Sequence, residues 1–224
     1  MKKSKVILKN IIIYLSISAI IIGLFSAVFI STKSDSISVN APISKSDSGV
    51  MLTFNVYQGT DEVNKIIDIL NEYGVSATFF IGGCWAVKNT ETLLRIKNNN
   101  FKIGSHGYYH YDHSKLNYKQ NYDEITKSLN AIESIIGEKI TLFAPPSGSY
   151  NEDCLKVAKD LNLKVIMWSK DTIDWRDQDV ELIVSRATKN IKENDIILMH
   201  PTKATVIALP KIIEGIIGEG HKIS

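Results

Sequence analysis

Two histidines stand four residues apart in the stretch Ser105-His106-Gly107-Tyr108-Tyr109-His110. On a helical turn this spacing puts both imidazoles on one side, where they can share a divalent metal ion such as zinc. As surface or capping histidines they would carry no chemistry. His200, in Leu198-Met199-His200-Pro201, directly follows an apolar run. There it is either a general acid or a satisfied core histidine. The stretch Asp171-Thr172-Ile173-Asp174-Trp175 offers two carboxylates. Asp174 is a candidate to orient His200, and helix capping is the plainer role for both. Trp175 and Leu198 are either core residues or the walls of a small apolar pocket. Asn55 and Val56 close another apolar run, Leu52-Thr53-Phe54. That position often carries the first catalytic group of an α/β enzyme. Neither residue is a strong base or an anionic metal ligand.

The elements that must position these residues follow from periodicity. Strand-like runs cover 50–54, 76–81, 101–105, 139–144, 163–168 and 195–199. Between them lie helical patterns over 61–73, 92–98, 122–136, 152–161 and 180–191, and a further one over 209–217 with Pro210 near its first turn. Alternation of this kind implies a parallel sheet covered by helices, open or closed into a barrel. Asn55, His106, Pro145 and Pro146, Asp171 with Asp174 and Trp175, and His200 all fall just past a strand's C-terminal end. In a β/α barrel that is the rim where loops converge on one cleft. No Gly-rich phosphate-binding motif follows a strand, which gives no support to a nucleotide-binding reading.

The chain has 224 residues and a formal net charge of +2. Residues 11–30 carry no charge and are long enough to cross a bilayer. Lys2, Lys3, Lys5 and Lys9 precede them, which places residues 1–10 in the cytoplasm and the rest outside. A cleaved signal peptide would have a shorter apolar core. The expectation is a single-pass protein of the cell membrane with residues 50–224 as its extracytoplasmic domain. Residues 31–49, rich in Ser, Asp and Lys, read as a flexible spacer. The positive charge comes from the anchor's flank, so no nucleic-acid partner is expected. Cys84 and Cys154 read as separate thiols.

Together these motifs resemble the polysaccharide deacetylase family, the NodB-type homology domain of carbohydrate esterases. The resemblance runs from about Val50 to the end. It implies a distorted (β/α) barrel and hydrolysis of acetyl groups on a polymeric sugar with a divalent metal, often zinc. Ser105-His106-Gly107-Tyr108-Tyr109-His110 matches the metal-binding motif. Asp171-Thr172-Ile173-Asp174-Trp175 matches the motif in which Asp174 tunes the acid histidine and Trp175 shapes the acetyl pocket. Leu198-Met199-His200 supplies a pocket residue and the general acid. Ala77-Thr78-Phe79-Phe80-Ile81-Gly82-Gly83 resembles the family's second strand. The family usually runs one more strand past Gly220, so the last strand is short or the barrel is open on one side.

Two motifs depart. Where the family has Thr-Phe-Asp-Asp, with a base and a metal carboxylate, this chain has Thr53-Phe54-Asn55-Val56. Where the third motif begins with Arg, Ala144 precedes Pro145 and Pro146. In the family that Arg pairs with the base carboxylate. Without its partner it would be an unpaired buried charge costing several kcal/mol, so Asn55 and Ala144 read as one linked change. Two histidines alone should hold zinc weakly. Asp112, Asp171 and Tyr57 are candidates to stand in for the missing groups. The expected function is membrane-anchored deacetylation of a cell-wall glycan such as peptidoglycan. The competing reading is an inactive glycan-binding or scaffold relative.

Overall fold

The computed structural model describes residues 41–224. The basic N-terminus, the apolar segment 11–30 and the first part of the spacer lie outside these residues. Among the described residues no helix is long and apolar enough to cross a membrane.

The central strands of this chain are mostly apolar and buried at nearly every position, which suits a sheet covered on both faces. β1 (Met51–Val56) is buried at every position but its first. It pairs in parallel with β2 (Thr78–Ile81) on one side. Its other neighbour is β7 (Ile196–Met199), also parallel. β3 (Lys102–Ser105), β4 (Leu142–Phe143) and β5 (Lys164–Val165) continue one edge, and β6 (Lys170–Asp171) forms the other. The seven strands run in the order β5-β4-β3-β2-β1-β7-β6, every pairing parallel.

The sheet curls into a half-barrel rather than closing, since β5 and β6 are not paired to each other among the described residues. Residues 43–46 lie across this open side. Ile43 bridges Ile166, Lys45 bridges Asp195, and the Lys45 ammonium pairs with the buried Asp195 carboxylate. Among the described residues pairing therefore begins at Ile43, inside the segment read as spacer. The polar composition of that segment hides this, because apart from Ile43 the contacts are made by backbone and one ion pair. Ile223 bridges Val50 and is the short final strand-like contact.

Helices α1 (Thr60–Tyr73), α2 (Gly83–Lys88), α3 (Thr90–Asn98), α4 (Tyr118–Ile136), α5 (Glu152–Asp160), α6 (Val180–Thr188) and α7 (Lys203–Gly218) cover the sheet. Their ends follow local chemistry. Gly74 and Gly137 end α1 and α4 in the left-handed conformation. Asn117 and Gln120 form a reciprocal capping box on α4. Thr202 caps α7, so that helix starts seven residues before Pro210. Pro210 therefore lies in the helix interior and not in its first turn. The β-α count also changes: α2 and the two-residue β6 are too short to give a periodic signal.

Two apolar layers result. The larger packs helices on the outer face of the sheet and includes Val56, Phe79, Ile125 and Ile212. The smaller fills the concave side with Phe80, Ala144, Ile166 and Ile196, joined by Ile43, Met51, Leu142 and Trp168.

Candidate active site

Parallel strands bring their C-terminal ends to one rim, and the polar residues singled out above meet there. One cavity of about 330 Å³ is lined by Asn55, His106, His110, Asp171, Leu198 and His200, with Trp168, Trp175 and Ser147 completing it. A neighbouring cavity of about 520 Å³ shares Asn55, the three histidines and Trp175 and extends over Tyr57, Gly59 and Glu62.

His106 follows β3 and is 2% exposed. Its Nδ1 lies 2.8 Å from the carbonyl oxygen of Ala144. A carbonyl only accepts, so Nδ1 carries the proton and the Nε2 lone pair is left for the cleft. Burial, with help from His110, lowers the His106 pKa to about 3 and keeps the ring neutral. Burial also lowers that of His110. The two rings meet edge to face, 5.1 Å between centroids. No helical turn does this. Gly107 and His110 take φ of 72° and 62°, and the loop folds back on itself.

That loop rests on α4. Buried Glu124 accepts the amide of Tyr108 at 2.9 Å and that of Tyr109 at 2.5 Å. Ser105 and Ser128 hydroxyls pair at 2.8 Å beneath it. Past His110, the Asn121 amide donates to the carbonyls of His113, Leu116 and Asn117. The His113 Nδ1 donates back to Asn121 Oδ1 at 2.6 Å, which leaves its buried Nε2 with no partner. Glu124 and Asn121 were not among the residues singled out, although both fall on the buried face of α4.

On the other flank, Asp174 is fully buried. Its Oδ1 accepts the His200 Nδ1 proton at 2.8 Å. Its Oδ2 accepts the His200 backbone amide and the Thr205 hydroxyl, each at 2.6 Å. The ring is thereby fixed with Nε2 free for the cleft. Trp175 lines both cavities yet is 59% exposed, a platform at the mouth more than a sealed wall.

Three placements differ from the sequence reading. Pro145 and Pro146 are buried and line neither cavity; their loop contributes Ser147 instead. Trp168, at the end of the run 163–168, lines the cavity, and a side chain at Gly148 would strike its ring. Val56 packs into the outer core and is absent from the cavity wall, because it alternates with Asn55 along the strand.

The candidate stand-ins for the missing carboxylates also separate here. The Asp112 carboxylate is taken up by Ser114, Ser149 and Lys115, which hold its pKa well below the usual range. The Tyr57 phenol bonds the Cys84 sulfur at 3.3 Å, and its pKa is pushed up to about 12. Asp171 faces the cavity. Cys84 and Cys154 are separate free thiols.

Among the described residues no group of three or more His, Cys, Asp or Glu side chains is placed to hold a metal ion. The donor chemistry present, two neutral imidazoles, fits a divalent cation held by two ligands rather than the three usual in catalytic zinc sites.

A curled parallel half-barrel with paired imidazoles and an aspartate-braced histidine at its rim places the chain among α/β proteins built around a histidine-lined cleft. Residues 43–166 match the family model for polysaccharide deacetylase, and the chain belongs to that family. It is 34% identical over 174 residues to the uncharacterized protein YlxY of Bacillus subtilis, covering 78% of this chain and 54% of that one. It is 32% identical over 179 residues to a peptidoglycan-N-acetylglucosamine deacetylase of Bacillus cereus, covering 78% and 64%. The chain thus spans less than two thirds of either relative. Among solved structures, BA3943 of Bacillus anthracis, described as a CE4 family pseudoenzyme, superimposes with a TM-score of 0.79 at 34% identity, covering 82% of this chain and 66% of that one.

Two outcomes test how the histidine loop is held. Replacing Glu124 by Leu orphans two loop amides, and at about 1–3 kcal/mol per unsatisfied group it lowers unfolding stability by about 3 kcal/mol in urea titrations. Burial holds the His113 pKa below its unfolded value of about 6.5. The unfolded state therefore takes up the proton first, and stability falls as pH drops through about 6.5 toward the folded pKa. The His113→Phe protein loses part of this slope between pH 7 and 5, as read by denaturant midpoints.

Proposed function

We propose that this chain is a deacetylase-type hydrolase directed at N-acetyl groups of a cell-wall glycan, peptidoglycan first, and that it works with a depleted site. The observation that carries this reading is the His200–Asp174 pair facing the same cavity as His106 and His110. Named relatives that are peptidoglycan deacetylases support the substrate class. The uncharged run 11–30 and its lysine flank support a single membrane anchor with the domain on the extracytoplasmic side.

In this reading an acetamido group enters between Leu198 and Trp175. His200, as imidazolium, donates its Nε2 proton to the departing nitrogen, and Asp174 stabilises that charged ring. Asn55 cannot take a proton at neutral pH, and its Oδ1 is sealed from solvent, so it forms part of the cavity wall and supplies no base. A divalent cation such as zinc would be held by His106 and His110, and when bound it supplies Lewis-acid polarisation of the acetyl carbonyl.

A second reading, glycan binding without turnover, is favoured by one observation: the two carboxylate positions of the first motif hold Asn55 and Val56. BA3943, described as a pseudoenzyme, is known also as a mutant with restored enzymatic activity, so the family contains members on both sides of this line.

Acetate release from an N-acetylated peptidoglycan fragment separates the two. The hydrolase reading expects slow release that His200→Ala lowers by about 10²–10⁴-fold, the usual worth of acid–base assistance. Glycan binding with no acetate supports the second reading. Asn55→Asp together with Val56→Asp raises zinc affinity by at least about tenfold, the scale on which even outer partners of zinc ligands act, provided that the end of β1 turns the new carboxylate at position 56 out of the outer core toward His106 and His110. It also lowers stability, because position 56 lies in apolar surroundings. Activity gains fully only when Ala144→Arg is added. An unchanged zinc affinity would sink the alignment of the first motif.

A further inference from the structure

Hydrolysis of an amide needs a group to take a proton from the attacking water, and the first motif no longer provides one. We infer that Asp171 takes over as general base, a conclusion that rests on the hydrolase reading above.

Among the described residues Asp171 is the only carboxylate lining the cavity that also holds Asn55, His106, His110 and His200. Its place is set by register. β6 pairs with β7 so that Asp171 stands abreast of Leu198, two residues before His200. Residues abreast in a parallel pair share a face, which sends Asp171 and Leu198 to the same side. Thr172 points the other way and donates its hydroxyl to the Leu198 carbonyl at 2.8 Å. Asp171 spends Oδ1 on the amide of Ile173 at 2.8 Å. That contact braces a turn in which Ile173, a β-branched residue, takes φ of 53°. The turn lets one short segment deliver Asp171 into the cavity and Asp174 beneath His200.

The other carboxylate near the cleft is Glu62, in the first turn of α1 and on the wall of the adjoining cavity only. Asn55 lines the same cavity, but its Oδ1 is sealed from solvent, which leaves Asp171 as the group able to act on a water there. In the reaction a water in the cavity passes one proton to the Asp171 carboxylate. The water oxygen bonds the acetyl carbon. The carbon–nitrogen bond then breaks with its electron pair going to nitrogen, which takes the His200 proton. Asp171 and the new carboxylic acid release their protons to solvent and to His200, giving acetate and a free amine.

The substitution Asp171→Asn in the full chain tests this, because Asn keeps an oxygen for the Ile173 amide and removes only the base. The expected result is a fall in kcat of about 10²–10⁴-fold, KM within about twofold, and an unchanged unfolding midpoint. Asp171→Glu restores part of the rate. If wild type releases acetate and Asp171→Asn does so at the same kcat, or if Glu62→Gln abolishes release while Asp171→Asn does not, the inference is overturned and the hydrolase reading stands. A lowered midpoint that accounts for the lost rate assigns Asp171 a structural role and also overturns it. If wild type releases no acetate, both fail.

Discussion

A charge inside the half-barrel must be matched or absent, and this constraint governs the site. The concave side is filled by Phe80, Ala144, Ile166 and Ile196. An ion there loses hydration worth several kcal/mol even after relaxation, more than one hydrogen bond returns. Ala144 is 3% exposed and packs in that layer. A guanidinium in its place would need a carboxylate at Asn55 to face. With Asn55 an amide, an alanine is the consistent neighbour, and the change costs one unpaired amide oxygen rather than an unpaired ion. The same constraint bears on position 56, where Val56 completes the outer core.

Charge survives where it is fully bonded. Asp174 has no exposure, yet its oxygens accept a ring N–H, a backbone amide and a hydroxyl. Charge-assisted bonds of this kind are about twice as strong as neutral ones, and together they hold the carboxylate in place. Glu124 is a weaker case: burial raises its pKa while two loop amides draw it back. The site is therefore divided. Its acid side keeps a satisfied buried carboxylate, and its base side has become neutral and partly apolar.

Much of this was legible in the chain. The runs that form β1, β2 and β7 are mostly apolar, and Asn55, His106, Asp174 and His200, each at or just past a strand end, gather at one rim. What escaped did so for physical reasons. The spacing of His106 and His110 is compatible with a helix, but the left-handed residues Gly107 and His110 make a reversal that spacing cannot reveal. A strand of two residues, β6, has no period. Residues 43–46 join through backbone pairing, a lysine and the single apolar side chain of Ile43, too little to stand out in a polar segment. Glu124 was readable in principle. Asn121, Glu124, Ser128 and Ile132 recur at helical spacing on one face, and polar members of a buried stripe signal bonds to a neighbouring loop.

The surviving motifs are weaker testimony to turnover than their number implies, because each also holds the fold. Asp174 ties the end of β7 to α7 through the His200 amide and Thr205. His106 joins the end of β3 to the end of β4 through the Ala144 carbonyl. Loss of either would leave buried polar groups unpaired, a cost independent of any reaction. The groups whose presence speaks for chemistry are those that face the cleft with bonding capacity left over. These are the free ring nitrogens of His106 and His200 and the second oxygen of Asp171. Folding alone does not require their convergence on one cavity of about 330 Å³. That convergence, more than the motif count, is the physical case for a working site.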